Sequence, residues 1–358
     1  MAAQRLQKVT IKDIARMCQV STQTVSRVLN NRADVAPGTR SAVEKAIAEL
    51  GYEPSALARS LVQQRSYTLG VITTGLKYSG VSLTLNGITE NCEAFNYSLL
   101  LKELASPDVT DIVPIIKSLI ANHVEGIIFA APEIGNNVQT VQSQLPVICP
   151  PIVFLKSQPS KQHMTIVVDN YNGARQATEH LLKIGRRNIG HISGPMEWLE
   201  ARQRWQGWAD TLKSAGETVL DRHWSMGNWY AQSGEEAFAE LIQKYPEMDA
   251  VFVSNDQMAL GLLHYASTHG IRVPDDLAVV GFDDLPESAY FTPALTTIKH
   301  PLRELGMYAV KTLLKLIEEG PEAEPEGILT LQTELVIRDS TQRLEAPAIE
   351  EDKAGVPV

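Results

Sequence analysis

In the stretch VSTQTVSRVLNN, residues 20–31, the side chains of Thr22, Gln23, Ser26, Arg27 and Asn30 can all hydrogen-bond, and none is acidic. A glutamine can bond bidentately to an adenine edge and an arginine to a guanine edge. Ser21, at the start of the same stretch, suits a phosphate placed at a helix N-terminus. The chemistry on offer is recognition of bases in a groove; the plainer alternative is the polar face of a small helical bundle.

A second group of candidates follows the body's apolar runs. Open parallel sheets bind ligands beyond the carboxyl ends of their strands. That rule selects Thr73 and Thr74 after LGVI, Asn255 and Asp256 after VFVS, and Asp283 after VVGF. A cleft lined by Thr, Asn and Asp suits a polyhydroxylated ligand. For Asp283 and Asn255 the competing role is capping of backbone amides at a strand end.

The first group needs a short helix. Val25, Val28 and Leu29 repeat at i, i+3 and i+4, which predicts a helix over about 21–30 with its apolar side inward. Before it, Thr10 and Asp13 form an N-cap signature, and Ile11, Ile14, Met17 and Cys18 supply a stripe. After it, Pro37 opens a third helix with Val43, Ile47 and Leu50 inward, and Gly51 ends it. Two helices joined by about three residues make a helix-turn-helix, whose second helix lies in the DNA major groove.

Next, PSALARSLVQQRS (54–66) reads as a linker. Ser55 can cap a helix of under two turns over Ala56–Leu61, too short to be stable alone. The second group needs strands. YTLGVITT, YSLLLKEL, VEGIIFAAP and PIVFL form one set; MTIVVDN, NIGHISG, DAVFVSND and LAVVGFDD form another. Doubly apolar strands separated by helical spacings, such as Ile115, Ile116, Leu119 and Ile120, predict parallel sheets in an α/β layout.

Composition bounds the rest. Of 358 residues, 44% are hydrophobic and 21% charged, and three dispersed cysteines form no disulfide framework or metal site. The net charge of −10 is unevenly spread: residues 1–65 carry +5 and the remainder −15. A basic head on an acidic body fits a nucleic-acid module joined to something else. No apolar run reaches a membrane-spanning length, and the first residues carry no apolar signal core, so cytoplasmic residence without a membrane partner is expected.

The segment from VTIKDIARMCQVSTQTVSRVLNN to ELGYEPSALARSL resembles the head of the lactose/galactose-repressor (LacI/GalR) family of transcriptional regulators, and the resemblance runs through nearly the whole chain. One departure is Gln19, where the family places Gly or Asn in the turn. The resemblance implies an α-helical helix-turn-helix head (8–53), a hinge (54–66) and an α/β periplasmic-binding-protein-like type I core (67–341) of two parallel-sheet subdomains. The first subdomain would take about 67–167 and 299–330, the second about 168–298 and 331–341. The acidic tail, 342–358, is expected to be disordered.

It also implies a homodimer on a pseudo-palindromic double-stranded operator, with paired hinge helices in the minor groove. There Leu61 would be the wedge that opens a base step, Ala58 would permit close approach, and Arg59 would reach phosphate or a narrow groove. For the effector, a sugar or glycoside, it implies Thr74, Tyr78, Arg204, Trp229, Asn255 and Asp283. Lys156 stands where lactose-type members carry an acid, so it either meets a different ligand group or points to solvent, the commoner disposition of lysine. Trp208 and Trp205 read as core.

These readings lead to a repressor of carbohydrate-utilisation genes, controlled by an inducer; a corepressor-dependent or global regulator is the alternative of the same family. A solute-binding protein would require a secretion signal and no helix-turn-helix. An enzyme is disfavoured: there is no phosphate loop, nucleophile elbow or metal-spaced His/Cys set. His180, His191 and His264 are scattered, and Asp283 and Asp284 would point opposite ways. No cofactor or metal is expected.

Overall fold

The computed structural model describes residues 9–29, 31–52, 65–106, 109, 111–146, 149–158, 163–320 and 327–342, in two compact units, 1–67 and 68–358. Asn30, the hinge residues Ser55, Ala58, Arg59 and Leu61, and the tail from 343 lie outside the described residues.

In the first unit, α1 (Ile11–Met17), α2 (Thr22–Leu29) and α3 (Pro37–Leu50) surround Ile14, Val25, Val28 and Val43. The Thr10 N–H and hydroxyl donate to the Asp13 carboxylate at 3.0 and 2.7 Å, which fixes the start of α1. Gln19 turns the chain with φ 54°, in the left-handed region the turn requires. Ser21 Oγ accepts the Thr24 N–H at 3.0 Å and caps α2. Gly51, at φ 57°, closes α3. Two residues expected inside are not: Met17 is 49% exposed and Leu50 37%. Each is the last residue of its helix, and neither belongs to the cluster that the three helices bury.

The second unit contains two six-stranded sheets. The first is formed by β1 (Thr68–Thr73), β2 (Ser98–Glu103), β3 (Gly126–Phe129), β4 (Ile152–Leu155), β5 (Met164–Val168) and β11 (Ile328–Leu331), in the order β11-β5-β4-β3-β1-β2. The second is formed by β6 (Ile189–Ser193), β7 (Trp224–Met226), β8 (Ala250–Val253), β9 (Ala278–Asp283), β10 (Thr296–Lys299) and β12 (Glu334–Val336), in the order β12-β10-β9-β8-β6-β7. All pairings are parallel except β10 with β12.

Helices α4 (Ser79–Ala94), α5 (Val113–Ala121), α6 (Asn137–Ser143) and α11 (Leu302–Glu319) belong to the first lobe. Helices α7 (Asn170–Lys183), α8 (Leu199–Ser214), α9 (Ala231–Lys244) and α10 (Asp256–Thr268) belong to the second. The chain therefore passes between lobes three times, at 168–170, 299–302 and 331–334.

One assignment made from pattern changes, in agreement with the lobe boundary near 167 that the resemblance implies. MTIVVDN, grouped by pattern with the second set, forms β5 of the first sheet, where Ile166 pairs with Leu155 and Leu329. A strand buried on both faces carries no mark of which sheet will accept it. Trp208 is fully buried and Trp205 packs beside it, as their helical spacing predicts. His180 bonds Thr341 at 2.9 Å, and His264 is exposed. His191, stacked on Trp208 and Phe252, is pushed down to about 3 by burial, so it is neutral. Among the described residues no helix is long and apolar enough to cross a membrane, and no His/Cys/Asp/Glu group could hold a metal.

Candidate functional site

In the head, Ser21, Thr22, Gln23 and Arg27 lie exposed at the start and along one side of α2, with Ser26 half-buried between them. Val25 and Val28 anchor the opposite side, so the polar face keeps a fixed orientation. Arg27 is not unpaired: its Nη1 lies 3.6 Å from Asp34 Oδ2 in the following turn, a partner the helix periodicity could not reveal.

In the body, a cavity of about 500 Å3, open mouth included, lies between the lobes. From the first lobe it takes Tyr78, Ser79 and Gly80, at the start of α4, and Lys156, just after β4. From the second it takes Trp198, Glu200 and Arg204 around the start of α8, Trp229, Asn255, Gln257 and Asp283. His300, in the crossing after β10, completes it. The starts of α4, α8 and α10 thus face one space, and their dipoles favour electron-rich ligand atoms.

Arg204 is held rigidly. Its Nε donates to Asn170 Oδ1 at 2.9 Å, its Nη1 donates to the Ser254 carbonyl, and Asp283 Oδ1 lies 3.8 Å away. The guanidinium carbon sits 3.7 Å from the centre of the Phe282 ring. Burial lowers the Arg204 pKa, while Asp283 and Glu200 oppose the shift. Asp283 also accepts from His300 Nδ1 at 3.2 Å. Because a carboxylate only accepts, that nitrogen carries the proton and Nε2 presents a lone pair. Burial pushes His300 down to about 4, so the ring is neutral near pH 7.

Asn255 caps α10, accepting the Met258 N–H at 2.9 Å and donating to the Trp229 carbonyl at 3.0 Å. Its capping and its cavity position are therefore one role: it holds the Trp229 turn. Asp283 and Asp284 take different partners, Asp284 pairing with Arg338 at 2.7 Å, although the chain is not extended there: their φ angles are 123° and 57°. Lys156 does not point to solvent. Its Nζ donates to the Gly80 carbonyl at 3.1 Å, and burial lowers its pKa against the pull of Glu200 and Asp283. Thr74 is not brought to the cavity; its hydroxyl contacts the Leu104 carbonyl at 3.4 Å. The chain runs on past β1 before it turns, so Tyr78 and Ser79 line the space instead.

Three lining residues hold left-handed backbone: Lys156 at φ 55°, Trp229 at φ 78° and Asp283 at φ 123°. Each such residue costs about 1–3 kcal/mol, and such strain concentrates at functional sites. An aromatic wall adds Tyr78, edge-on to Trp198 at 5.3 Å, and Trp229, 5.7 Å from Trp198. Ile134 forms an isolated β-bridge with Trp198, and the Leu199 N–H donates to the Glu133 carbonyl at 3.1 Å, so the lobes touch there.

Sequence reasoning missed Glu200, Trp198, Gln257 and His300. Glu200 stands four residues before Arg204, on the same helix face, and His300 follows a strand end, so spacing and the strand-end rule held a signal for both. Asp256 was selected but does not line the cavity. It accepts from Leu285 N–H and Ser288 Oγ at 2.9 and 2.6 Å, and from Thr297 Oγ1.

Residues 10–55 match the profile described as bacterial regulatory proteins, lacI family, and residues 178–341 match the periplasmic binding protein-like domain. The HTH-type transcriptional repressor PurR of Pasteurella multocida (strain Pm70) is 32% identical over 335 residues, 93% of this chain and 98% of that protein. The lac repressor dimer bound to operator and the anti-inducer ONPF matches with a TM-score of 0.83 at 31% identity, covering 94% of this chain and 100% of that one. The complex of the transcriptional regulator CelR with cellobiose matches with a TM-score of 0.67 at 28% identity, covering 93% and 100%. These relatives are regulators rather than enzymes, and the helix-turn-helix head and the two-lobed body each match a part of them. The chain belongs to the LacI family of bacterial regulatory proteins, as a transcriptional repressor that joins a DNA-binding head to a ligand-binding body.

Proposed function

We propose that this repressor acts in the cytoplasm as a homodimer on a pseudo-palindromic operator, and that a sugar or glycoside in the cleft induces release. The observation that carries the ligand class is Trp229. Its indole is buried against the cavity, its Nε1 has no hydrogen-bond partner among the described residues, and Arg204, Asn255 and Asp283 stand around it. A flat aromatic face beside convergent polar groups suits a pyranose. The sugar complex of CelR supports the same class.

Arg204, Asn255, Asp283, Trp229, Tyr78 and Lys156 are the proposed effector contacts, and Ser21, Thr22, Gln23, Ser26 and Arg27 the proposed DNA contacts. The dimer is supported by the geometry of helix-turn-helix recognition, in which two half-sites need two heads. It is supported also by Tyr290, 87% exposed, on a turn that Asp256 ties to the start of α10, where Leu260 is exposed as well. A ligand releases DNA only through its differential affinity for two states; a factor of about 100 corresponds to roughly 2.8 kcal/mol.

The test is retardation of a DNA fragment, selected from random duplexes by the full-length protein, with and without mono- and disaccharides. A sugar that raises the melting temperature should also release the fragment. Asp283→Ala combined with Asn255→Ala should weaken that sugar's effect at least a hundredfold. Release at wild-type sugar concentration by the double variant would move the effector site elsewhere, and tightening of the complex by the sugar would reverse the sign of control.

A further inference from the structure

We propose that Glu200 and Ser157, one from each lobe, form a second polar subsite of the cleft that takes a hydroxyl-bearing arm of the ligand and excludes acidic and cationic ones. The inference rests on reading the cleft as the effector site. A side chamber of about 280 Å3, open space included, adjoins the main cavity and shares Lys156, Glu200 and His300 with it. Two side-chain oxygens on its wall, Glu200 Oε2 and Ser157 Oγ, are buried and have no hydrogen-bond partner among the described residues. A buried acceptor left alone is costly, and a ligand group that reached it from the chamber would remove that cost.

Three other polar groups beside the chamber have protein partners, and a fourth, Gln203, is half-buried there. Asn170 donates to the Val168 carbonyl at 3.2 Å and accepts from Arg204. Lys156 donates to the Gly80 carbonyl, and His300 to Asp283. The buried side-chain atoms of the chamber that have no partner are a carboxylate oxygen, which only accepts, and a hydroxyl, which does both. An alcohol satisfies both at once, donating to Glu200 and pairing with Ser157.

A carboxylate has no proton for Glu200 and adds negative charge beside it. An ammonium could donate to both, but it would enter next to Lys156 and Arg204. The cavity already balances two cations, Lys156 and Arg204, against two anions, Glu200 and Asp283. Any charged arm breaks that balance in a site largely withdrawn from water. Because Ser157 follows β4 of the first lobe and Glu200 begins α8 of the second, the arm also ties the lobes together.

The experiment measures binding to the full chain by calorimetry and thermal shift at neutral pH. The probes are D-glucose, D-galactose and cellobiose, set against D-glucuronic acid, D-galacturonic acid and D-glucosamine. At least one neutral sugar should bind, and its charged counterparts should bind at least about tenfold more weakly. Glu200→Gln should weaken the neutral sugar by about tenfold to a hundredfold, as expected for loss of a charged hydrogen bond, and should narrow its margin over the acid. Glu200→Asp, which keeps the charge but shortens the reach, should lose affinity yet still reject the acid. Ser157→Ala should weaken the neutral sugar too, and the double variant should lose less than the two single losses combined. Equal binding of acid and neutral sugar by the wild type, or unaltered neutral-sugar affinity in a cooperatively melting Glu200→Gln, overturns the subsite while leaving the sugar reading intact. Silence from all neutral sugars overturns the sugar reading, and the subsite with it.

Discussion

The indole of Trp229 lies over Gly194 so closely that a Cβ on residue 194 would overlap the ring. Gly194 directly follows β6, and Trp229 occupies a left-handed turn held by Asn255. The absence of one methyl group at 194 therefore decides where an aromatic wall of the cleft rests.

Gly194→Ala tests that dependence. The added methyl forces the ring outward, because the strand end cannot retreat from its sheet. The expected result is a shift in tryptophan emission and at least a tenfold loss of affinity for whichever sugar binds the wild type. The melting free energy should fall by about 1–3 kcal/mol, the usual cost of overpacking. Sugar binding at wild-type strength would remove Trp229 from the site.

Asp256 carries a pH signature. Burial raises its pKa from 3.8 to about 7, Asp283 adds to the rise, and the bonds from Ser288, Thr297 and Leu285 oppose it. Between these two values the folded state holds a proton that the unfolded chain has released. The Asp256 contribution to stability therefore falls as pH rises through that window and is level on either side of it. Melting temperatures recorded from about pH 4 to about pH 8 should decline more for the wild type than for Asp256→Asn. Parallel curves would mean that the carboxyl stays ionised throughout.

Asp34 restrains the proposed reading helix. Its pair with Arg27 at 3.6 Å is half exposed on both sides, so its removal should change stability by less than about 1 kcal/mol. On DNA the effect is different, since the carboxylate repels phosphate and competes for the guanidinium. Asp34→Asn should tighten binding to any duplex several-fold and steepen the dependence of Kd on salt. A titration showing no change at low salt would place Asp34 away from the duplex.

Leu61 lies outside the described residues, and its proposed wedge role comes from family resemblance. Opening a base step costs a few kcal/mol and is compensated only on a sequence that admits the kink. Leu61→Ala should therefore cost at least tenfold on the selected DNA fragment and far less on random duplex. Equal losses on both would reduce Leu61 to a general contact.

Much of this was legible in the order of residues. The helix-turn-helix could be read because Val25, Val28, Ile14 and Val43 are local patterns whose burial needs only neighbouring helices. The strand-end rule reached Asn255 and Asp283 because a parallel sheet always presents that edge to its ligand. Local periodicity stopped where two distant segments had to meet. It could not place β5 in the first sheet, since a run buried on both faces fits either.

The chain alone determined the kind of protein: a basic three-helix head, two α/β lobes, and Arg204 and Trp229 as candidates for one ligand. Only the tertiary structure decided which side chains share the cleft. Lys156 turned inward because Gly80, 76 residues earlier, offers its carbonyl; Thr74 turned away because Leu104 offers another; and Glu200 and His300 joined because their elements end at the same opening. The physical reason is common to all of them. Hydrogen bonds and burial act over a few ångströms in space, and sequence spacing reports such distances only within one helix, strand or turn.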